Sequence, residues 1–217
     1  MSADLELFDS PPRQLREFIG KEAVVLRGFA LDEAEELFRC VLDVEAEAPF
    51  RKMETRGGFE MSVGMTNCGD LGWTTDRRGY RYTDTDPQTG RKWPKLPARF
   101  LDLGKRAAVA AGFLGFEPDA CLINEYLPGS RLSLHQDKNE KDYTQPIVSV
   151  ALGVPATFLF GGMERTDKTM RVRLTHGDVT VWGGVDRLRY HGVLPIKSAP
   201  HPLVGERRIN ITFRKAG

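Results

Sequence analysis

The sequence lacks several features that would assign it to other classes of protein. No apolar run approaches the roughly 18 residues that a transmembrane helix needs, and residues 1–14, MSADLELFDSPPRQ, contain no apolar segment of the kind found in secretory signals. The 31 basic and 30 acidic residues leave a net charge of +1, which argues against binding long nucleic acid by charge alone. We therefore expect a soluble cytoplasmic protein that does not bind membranes.

Cysteine is also scarce. The chain has three cysteines, Cys40, Cys68 and Cys121, which are far apart in the sequence and form no CxxC pair. An odd number at this spacing argues against a disulfide framework or a zinc ribbon and is compatible with a reducing cytoplasm. With 217 residues, the chain is long enough for one well-packed core, so we expect a single domain that is monomeric.

Two segments have the pattern of packing helices. In LDEAEELFRCVLDVEAEAPF, apolar residues recur at helical spacing and stop before Pro49. In LPARFLDLGKRAAVAAG, Pro97 suits the first turn and Gly112 suits a left-handed C-terminal cap. We divide the domain into an N-terminal extension and helix (1–50), a turn-rich and aromatic segment typical of a lid (51–95), and a helix followed by the core (96–217).

From residue 120 onward, the sequence changes to short apolar or alternating runs separated by turns. About eight such runs are present, with no helical segment between them. This pattern predicts a mainly β (α+β) fold, in which antiparallel strands form a two-sheet jelly roll or a small barrel that the N-terminal helices cover on one side.

The run RLSLHQDKNE places His135 and Asp137 on one face of a strand and Leu132 and Leu134 on the other. Residues two apart on a strand are about 6 to 7 Å apart, so an imidazole and a carboxylate at this spacing are able to bind one cation. The signal is weak by itself, because a second HxD, His176 to Asp178, also occurs. We interpret that second pair as part of a hairpin turn in which Asp178 accepts backbone hydrogen bonds.

A third metal ligand must come from another part of the chain. His191, on the predicted strand RLRYHGV, is a better candidate than His201, which lies between prolines in APHPL and is expected at the surface. A hydrogen-bonded core histidine is the alternative for His191. Two histidines and one carboxylate leave three positions of an octahedral ion open, as in Fe(II) oxygenases.

The C-terminal run RRINITFR places its polar residues on one face, opposite Ile209, Ile211 and Phe213. That polar face consists of Arg208, Asn210, Thr212 and Arg214. Because an unpaired buried guanidinium is costly, two arginines on an inward face require an anion. The two Cα atoms are about 20 Å apart, a gap that suits a small dicarboxylate. A solvated surface strand is the alternative.

Asn124 and Tyr126 share one face of the predicted strand CLINEYL and provide an amide and a hydroxyl that could hold the same ligand. They could equally be ordinary polar residues of a barrel. The residues alone leave both interpretations open.

Taken together, these motifs resemble the AlkB family of iron(II)- and 2-oxoglutarate-dependent DNA repair dioxygenases, in particular its bacterial type. The resemblance extends from about Phe50 to the C-terminus. The matching segments are MTNCGDLGWTT, NEYLPGSRLSLHQDK, VWGG, YHGV and RRINITFR.

The resemblance implies a double-stranded β-helix jelly roll with supporting helices and a nucleotide-recognition lid. It also implies oxidative demethylation of 1-methyladenine and 3-methylcytosine in single-stranded DNA, with release of formaldehyde and succinate. By the resemblance, Arg214 would pair with the distal carboxylate of 2-oxoglutarate. The implied site residues are, for Fe(II) and catalysis, His135, Asp137 and His191; for 2-oxoglutarate, Asn124, Tyr126, Arg208, Asn210 and Arg214; for the substrate, Trp73, Tyr80, Tyr82, Asn139 and Arg165.

The chain departs from the family pattern at Asn139, where an acidic residue is common. A neutral amide keeps a hydrogen bond but loses attraction for a cationic base, so the lesion preference stays open. Two other functions also stay open. One is the same chemistry on RNA, on duplex DNA or on protein, and the other is a module that binds damaged strands without catalysis.

Overall fold

The computed structural model describes residues 15–217, and the predictions made for residues 1–14 lie outside this range. In the described part, two helices and fourteen strands follow one another, together with a short 3-10 helix at Gly184–Asp186. The elements are β1 (Arg16–Phe18), β2 (Ala23–Leu26), α1 (Ala34–Glu47), β3 (Arg51–Glu54), β4 (Glu60–Gly69), β5 (Gly72–Asp76), β6 (Gly79–Thr83), α2 (Ala98–Ala110), β7 (Ala120–Tyr126), β8 (Leu132–His135), β9 (Ile147–Gly153), β10 (Ala156–Phe160), β11 (Met170–Leu174), β12 (Val179–Trp182), β13 (His191–Val193) and β14 (Arg208–Arg214).

The larger sheet has eight strands in the order β1-β2-β12-β9-β14-β7-β4-β3, and the two helices cover one of its faces. Phe100 of α2 meets Phe213 of β14 edge to face, with ring centroids 5.8 Å apart. Ile209 and Ile211 belong to the same buried cluster as Leu37 of α1. The apolar face of β14 therefore packs under the helices, and its polar face is turned toward the other sheet.

The smaller sheet has four strands in the order β11-β10-β13-β8 and packs against the polar side of the larger sheet. At one end of the interface, an apolar cluster that includes Ile147, Phe158 and Trp182 fills the space between the sheets. The other end holds the polar face of β14. This arrangement confirms the predicted jelly roll with supporting helices.

All eight strands predicted after residue 120 are present, but one connection was predicted wrongly. His176 and Gly177 do not fold a hairpin, because β11 pairs with β10 in the smaller sheet whereas β12 pairs with β2 and β9 in the larger one. The turn carries the chain from one sheet to the other, which a local turn signal does not reveal. Gly177 has φ +82°, a conformation that glycine adopts without strain.

The segment 51–95 contains four strands that the sequence pattern did not predict. β3 and β4 extend the larger sheet beside β7, whereas β5 and β6 form a separate hairpin. Apolar and polar residues do not alternate regularly along β4, because some of its polar residues are buried and make hydrogen bonds to nearby backbone groups. Thr66 donates to the carbonyl of Ala48 at 2.6 Å, and the amide of Asn67 bonds both backbone groups of Trp73 at 3.0 Å.

Candidate metal and cosubstrate site

The three predicted metal ligands lie together at one end of the smaller sheet. His135 ends β8 and His191 begins β13, and the two residues are direct partners in the antiparallel ladder. Their ring centroids are 4.4 Å apart. Asp137 follows β8 by two residues, and its carboxylate lies between the imidazoles, 3.8 Å from Nε2 of His135 and 3.7 Å from Nε2 of His191.

The hydrogen bonds of the two imidazoles prepare them for a metal. Nδ1 of His135 lies 2.9 Å from the carbonyl of Ser133, and Nδ1 of His191 lies 3.0 Å from that of Arg189. Because a carbonyl only accepts, Nδ1 carries the proton in each ring and the Nε2 lone pair is free. The candidate ligand atoms all lie within 4.8 Å of one another, so the residues fit a metal ion with two nitrogen ligands and one oxygen ligand.

The surroundings of His135 and Asp137 keep these two groups in the protonation state that binds metal. Loss of hydration, together with the neighbouring His191, lowers the pKa of His135 to about 4, so the ring is neutral at pH 7. Burial by itself would raise the pKa of Asp137, but the Arg214 guanidinium and His191 outweigh this effect and hold it well below its usual range. His191 is buried, which rules out the outward orientation that would have excluded it as a ligand.

The second HxD pair is a structural element of the turn before β12. The carboxylate of Asp178 accepts hydrogen bonds from the backbone nitrogens of Gly28 at 2.9 Å and Thr175 at 2.8 Å. The ring of His176 accepts one from Gly153 at 3.0 Å. Both agree with the predicted structural role. His201, expected at the surface, is half-buried and packs on His176 with ring centroids 4.4 Å apart.

The polar face of β14 lines a cavity that also contains the candidate metal ligands. Arg208 and Arg214 are both buried, so the alternative of a solvated surface strand is wrong. On β7, Tyr126 lies opposite Arg208 and Asn124 lies opposite Asn210, which brings all five predicted cosubstrate residues to one cavity wall.

Arg214 lies at the metal end of this cavity. Its Nη2 and Nε donate to Oδ2 of Asp137 at 2.7 Å and 3.2 Å, and its Nε lies 3.6 Å from Oε1 of Glu140. Burial would lower the pKa of Arg214, but the two carboxylates raise it. Arg214 therefore lies near the candidate metal ligands, whereas the resemblance gave it the distal carboxylate of 2-oxoglutarate, which is the one remote from the metal.

Arg208 lies at the opposite end and has no anionic partner among residues 15–217. The side chain is 1% exposed, its hydrogen bond to the protein is a long one from Nη1 to the carbonyl of Val154 at 3.4 Å, and its Nε has no partner within the described chain. Burial lowers the pKa of Arg208 to about 10 and raises that of the adjacent Tyr126 to about 12. A buried cation with an unused donor is a binding site for a carboxylate.

Asn210 and Asn124, two other polar residues of the cavity, differ in whether their side-chain amides find hydrogen-bond partners among the described residues. Nδ2 of Asn210 donates to Ser149 Oγ at 2.8 Å and to the carbonyl of Val150 at 2.9 Å, so both of its donors are in use. Oδ1 of Asn124 is buried without a partner among the described residues. Sequence reasoning missed Ser149, although a lone polar residue in the apolar run IVSVALGV was a signal that could have identified it.

The hairpin β5–β6 presents three aromatic side chains on one face, because Trp73 pairs with Tyr82 and Thr75 pairs with Tyr80. Tyr80 is 47% exposed and stacks on Trp73 with ring centroids 5.6 Å apart. The Tyr82 hydroxyl instead donates to Oε1 of Glu140 at 2.6 Å. Tyr82 was predicted to contact the nucleotide, but this hydroxyl is directed at a buried carboxylate.

Glu140 joins the hairpin to the metal site and was not identified from the sequence. Its carboxylate accepts from Tyr82 and from Nη2 of Arg187 at 3.1 Å, and it faces Arg214 on the same side as Asp137. Arg187 also donates to the backbone carbonyl of Asp137 at 2.7 Å. Buried charges in contact with one another are mutually compensated, and they fix the segment between Asp137 and Glu140.

The remaining predicted substrate residues lie at the rim of the metal site. The indole Nε1 of Trp73 donates to Oδ1 of Asn139 at 3.2 Å. Arg165 donates from Nη1 to the carbonyl of Leu134 at 2.6 Å, and its guanidinium lies 5.1 Å from the ring centroid of Tyr190. Both contacts place these side chains beside the strand that ends in His135.

Comparison with known families agrees with this geometry. A family model described as the 2OG-Fe(II) oxygenase superfamily matches residues 22–214. The matched region contains the three candidate metal ligands and both arginines of β14.

Similar proteins match nearly the whole chain. The alpha-ketoglutarate-dependent dioxygenase AlkB of Escherichia coli strain K12 is 56% identical over 214 residues, which cover 98% of each protein. The AlkB homolog of Caulobacter vibrioides strain NA1000 is 43% identical over 208 residues, which cover 92% of this chain and 93% of that relative. The solved structure of OsALKBH1 superposes with a TM-score of 0.82 at 30% identity, over 93% of this chain and 100% of that one. The chain therefore belongs to the AlkB family of the 2OG-Fe(II) oxygenase superfamily.

Proposed function

We propose that this protein removes methyl groups from ring nitrogens of bases in single-stranded DNA, with 1-methyladenine and 3-methylcytosine as substrates. Membership of the family makes it a dioxygenase that uses Fe(II), 2-oxoglutarate and O2. The relatives support the broader activity, which is oxidative demethylation of alkylated nucleic acid. The particular bases and the preference for single strands are our proposal.

One observation carries the proposal. The buried guanidinium of Arg208, which has no anionic partner among residues 15–217, shares a single cavity with the triad of His135, Asp137 and His191. A cavity with a metal site at one end and an unsatisfied cation at the other suits a dicarboxylate that binds the metal through its keto acid end. A structural zinc site would not need the second cation.

We propose different partners for the two arginines. Arg208 and Tyr126 would bind the distal carboxylate of 2-oxoglutarate, and Arg214 would face the carboxylate next to the keto group. Oδ1 of Asn124, which has no hydrogen-bond partner among residues 15–217, lies on the cavity wall between the two arginines. Asn210 would contribute mainly by holding β9 to β14. The assignment reverses the role that the resemblance gave to Arg214.

When bound, iron and 2-oxoglutarate supply an oxidation in which O2 hydroxylates the methyl carbon, 2-oxoglutarate becomes succinate and CO2, and the hydroxymethyl base then releases formaldehyde. The residues of the chain bind and orient the reactants. Asp137 and the two histidines would hold the metal; Arg214 keeps the Asp137 carboxylate ionised and in place, and Glu140 contacts the same guanidinium.

The aromatic hairpin supports a nucleotide as the substrate. A methyl group on a ring nitrogen reaches the metal only if the base leaves the helix stack, and an extracted base stacks well on an indole. Trp73 supplies that indole, and the ring of Tyr80 stacks against it. Arg165 and the exposed Lys138 and Arg131 provide a local cationic rim, which suits a short single strand better than a long duplex.

The proposal extends to the organisation of the protein. Residues 51–95 would act as the nucleotide-recognition lid through the β5–β6 hairpin, and the protein would function as a cytoplasmic monomer. All three cysteines are free, which supports a reducing location. No helix in residues 15–217 is long and apolar enough to cross a membrane.

A product assay tests the function directly. Single-stranded oligonucleotides with one 1-methyladenine or one 3-methylcytosine would be incubated with the Fe(II)-loaded protein, with and without 2-oxoglutarate, and formaldehyde and succinate would be measured. We expect both products in equal amounts, and only when 2-oxoglutarate is present. A matched RNA oligonucleotide and a duplex measured in parallel establish the preferred nucleic acid.

The variant His135→Ala separates catalysis from binding. We expect it to lose formaldehyde formation, because the metal would lose one of three ligands, while it still binds the oligonucleotide. Succinate formation without any formaldehyde from either oligonucleotide would contradict the proposed substrate. Damaged-strand binding with no 2-oxoglutarate consumption by the wild-type protein would favour the non-catalytic binding module.

A further inference from the structure

We infer that His176 and His201 are positioning residues for Arg208, because together they hold the loop 201–207 against the end of β9. The inference rests on the proposed function in one respect, which is that Arg208 binds the distal carboxylate of 2-oxoglutarate. Neither histidine is among the residues that line the cavity, so both act through the backbone that carries Arg208.

The end of β9 sets the position of Arg208. Gly153 is the partner of Arg208 in the ladder between β9 and β14. The next residue, Val154, accepts the hydrogen bond from Nη1 of Arg208 at 3.4 Å and donates its N–H to the carbonyl of Arg207 at 3.2 Å. A shift of Gly153 and Val154 would therefore move the guanidinium or break its hydrogen bond to the backbone.

The loop fits tightly against this strand end. Gly153 has φ +88°, and a Cβ atom added to it would collide with the side chain of Val204 and lie 2.5 Å from the carbonyl oxygen of Arg207. His201 closes the loop, since its N–H donates to the carbonyl of Gly205 at 3.2 Å and its carbonyl accepts from the N–H of Gly205 at 2.9 Å. The loop and the strand end therefore form one packed unit, which leads directly into β14.

The two imidazoles connect this unit to the turn between β11 and β12. Nδ1 of His176 accepts the N–H of Gly153 at 3.0 Å, and Nδ1 of His201 accepts the N–H of Leu203 at 3.3 Å. The rings pack on each other with centroids 4.4 Å apart. Because a backbone N–H only donates, the proton of each neutral ring is on Nε2, and no lone pair is left for a metal ion.

Protonation of either ring opposes these contacts. The added proton would be on Nδ1, where it meets a backbone N–H, and two protonated rings would place two positive charges on rings whose centroids are 4.4 Å apart. Burial, together with the neighbouring His201, lowers the pKa of His176 below its ordinary value. The held loop therefore binds fewer protons than a released loop, and acidification favours release.

The other charged groups on the elements packed against the pair are ion-paired or exposed. Asp178, in the same turn, lies 2.6 Å from Nη1 of Arg27, which directly follows β2. Arg207, in the loop, pairs with Glu125 of β7 at 2.6 Å, and Glu206 is exposed. β9 contains no ionisable residue. The two imidazoles are therefore the groups here whose ordinary pKa lies between about 5 and 8.

Two substitutions at His176 test the positioning role. In His176→Asn, the side-chain oxygen keeps an acceptor for Gly153 but does not titrate, whereas His176→Leu removes the acceptor. The affinity for 2-oxoglutarate would be measured by anaerobic calorimetry with Fe(II), near pH 7.5 and near pH 5.5. The affinity for Fe(II) alone is the control, because all three proteins have the same metal ligands.

We expect His176→Asn to match the wild type near pH 7.5. His176→Leu should bind 2-oxoglutarate about tenfold more weakly, because the buried N–H of Gly153 loses its acceptor. Between the two pH values, the affinity of the wild type should fall about threefold more than that of His176→Asn, which has no proton to take up at this position. His201→Asn, which keeps an acceptor for Leu203, should behave like His176→Asn. The affinity for Fe(II) should be the same in all of these proteins at each pH.

Each outcome decides one point. Equal pH dependence in the wild type and both asparagine variants, or an unchanged affinity in His176→Leu, overturns the inference. If Arg208→Met leaves the affinity for 2-oxoglutarate unchanged, the proposed role of Arg208 is wrong, and the positioning role fails with it. If Arg208→Met weakens binding about 100-fold while the histidine variants match the wild type, the proposed function stands and the inference alone fails.

Discussion

Arg208 and Arg214 stand on the same face of one strand, are both buried, and differ in every other respect. Arg214 is held by Asp137 and faces Glu140, which raises its pKa. Arg208 has a single long hydrogen bond to a carbonyl among the described residues, and burial lowers its pKa to about 10. Residues 15–217 thus supply an anionic partner for the first arginine and none for the second.

The difference shows how the protein separates stability from binding along one strand. A buried ion pair costs several kcal/mol when one partner is removed, whereas a buried cation without a partner costs free energy while it is present. Arg214 and its carboxylate partners should therefore stabilise the fold. Arg208 should lower the stability of the ligand-free protein and raise its affinity for a ligand. Four measurements test this contrast.

The largest effect is expected from Arg214→Met. Loss of the guanidinium leaves the buried Asp137 carboxylate without its cation and leaves Glu140 with Arg187 alone, and we expect the free energy of unfolding of the metal-free protein to fall by about 3 kcal/mol or more. Urea unfolding followed by circular dichroism measures this change. A loss below about 1 kcal/mol would mean that the pair does not stabilise the fold.

Arg208→Met is the matched change at the other end of the strand. Without 2-oxoglutarate, we expect the free energy of unfolding to stay the same or to rise by about 1 kcal/mol, because an uncompensated buried charge is replaced by an apolar side chain. The affinity for 2-oxoglutarate should fall about 100-fold, as measured by anaerobic calorimetry with Fe(II). Equal destabilisation by the two methionine variants would remove the distinction between the arginines.

Glu140→Gln sharpens the contrast at the Arg214 end. Glutamine keeps an acceptor for the Tyr82 hydroxyl but removes the charge that faces Arg187 and Arg214, so we expect a loss of about 1 to 2 kcal/mol. Urea unfolding is again the measurement. Glu164→Gln, at an exposed position, is the control and should change the free energy of unfolding by less than about 0.5 kcal/mol.

The smallest effect is a pH dependence at His135. The unfolded imidazole takes up its proton near pH 6.5, but the native one does so only near pH 4. Since the unfolded state binds more protons between these values, the free energy of unfolding should decrease as the pH falls from 6.5 to 4. The side chain is 33% exposed, so solvent screening keeps the effect small.

His135→Gln provides the comparison for this measurement. The variant lacks the group that titrates, so its stability in the metal-free state should fall less steeply over the same pH range. Parallel curves for the two proteins would show that other groups cause the acid sensitivity.

Local patterns predicted much of the site. The period-two alternation of RRINITFR correctly placed Arg208 and Arg214 opposite the core, and the HxD spacing placed His135 and Asp137 on one side of the chain. The same reasoning missed β4, because its buried polar residues Thr66 and Asn67 interrupt the alternation. It also missed Glu140, because the charge of a residue does not show whether it is buried.

Which partner each group finds was decided by the tertiary structure. The sequence alone determined the mainly β class, the residue types available for a metal, and the face of each strand on which they lie, because side-chain direction on a strand is a property of the local backbone. It did not determine that Asp137 would pair with Arg214, 77 residues away, or that Arg208 would have no carboxylate partner within the described part of the chain. Such pairings depend on the register of strands that are distant in sequence, and only the assembled sheets fix that register.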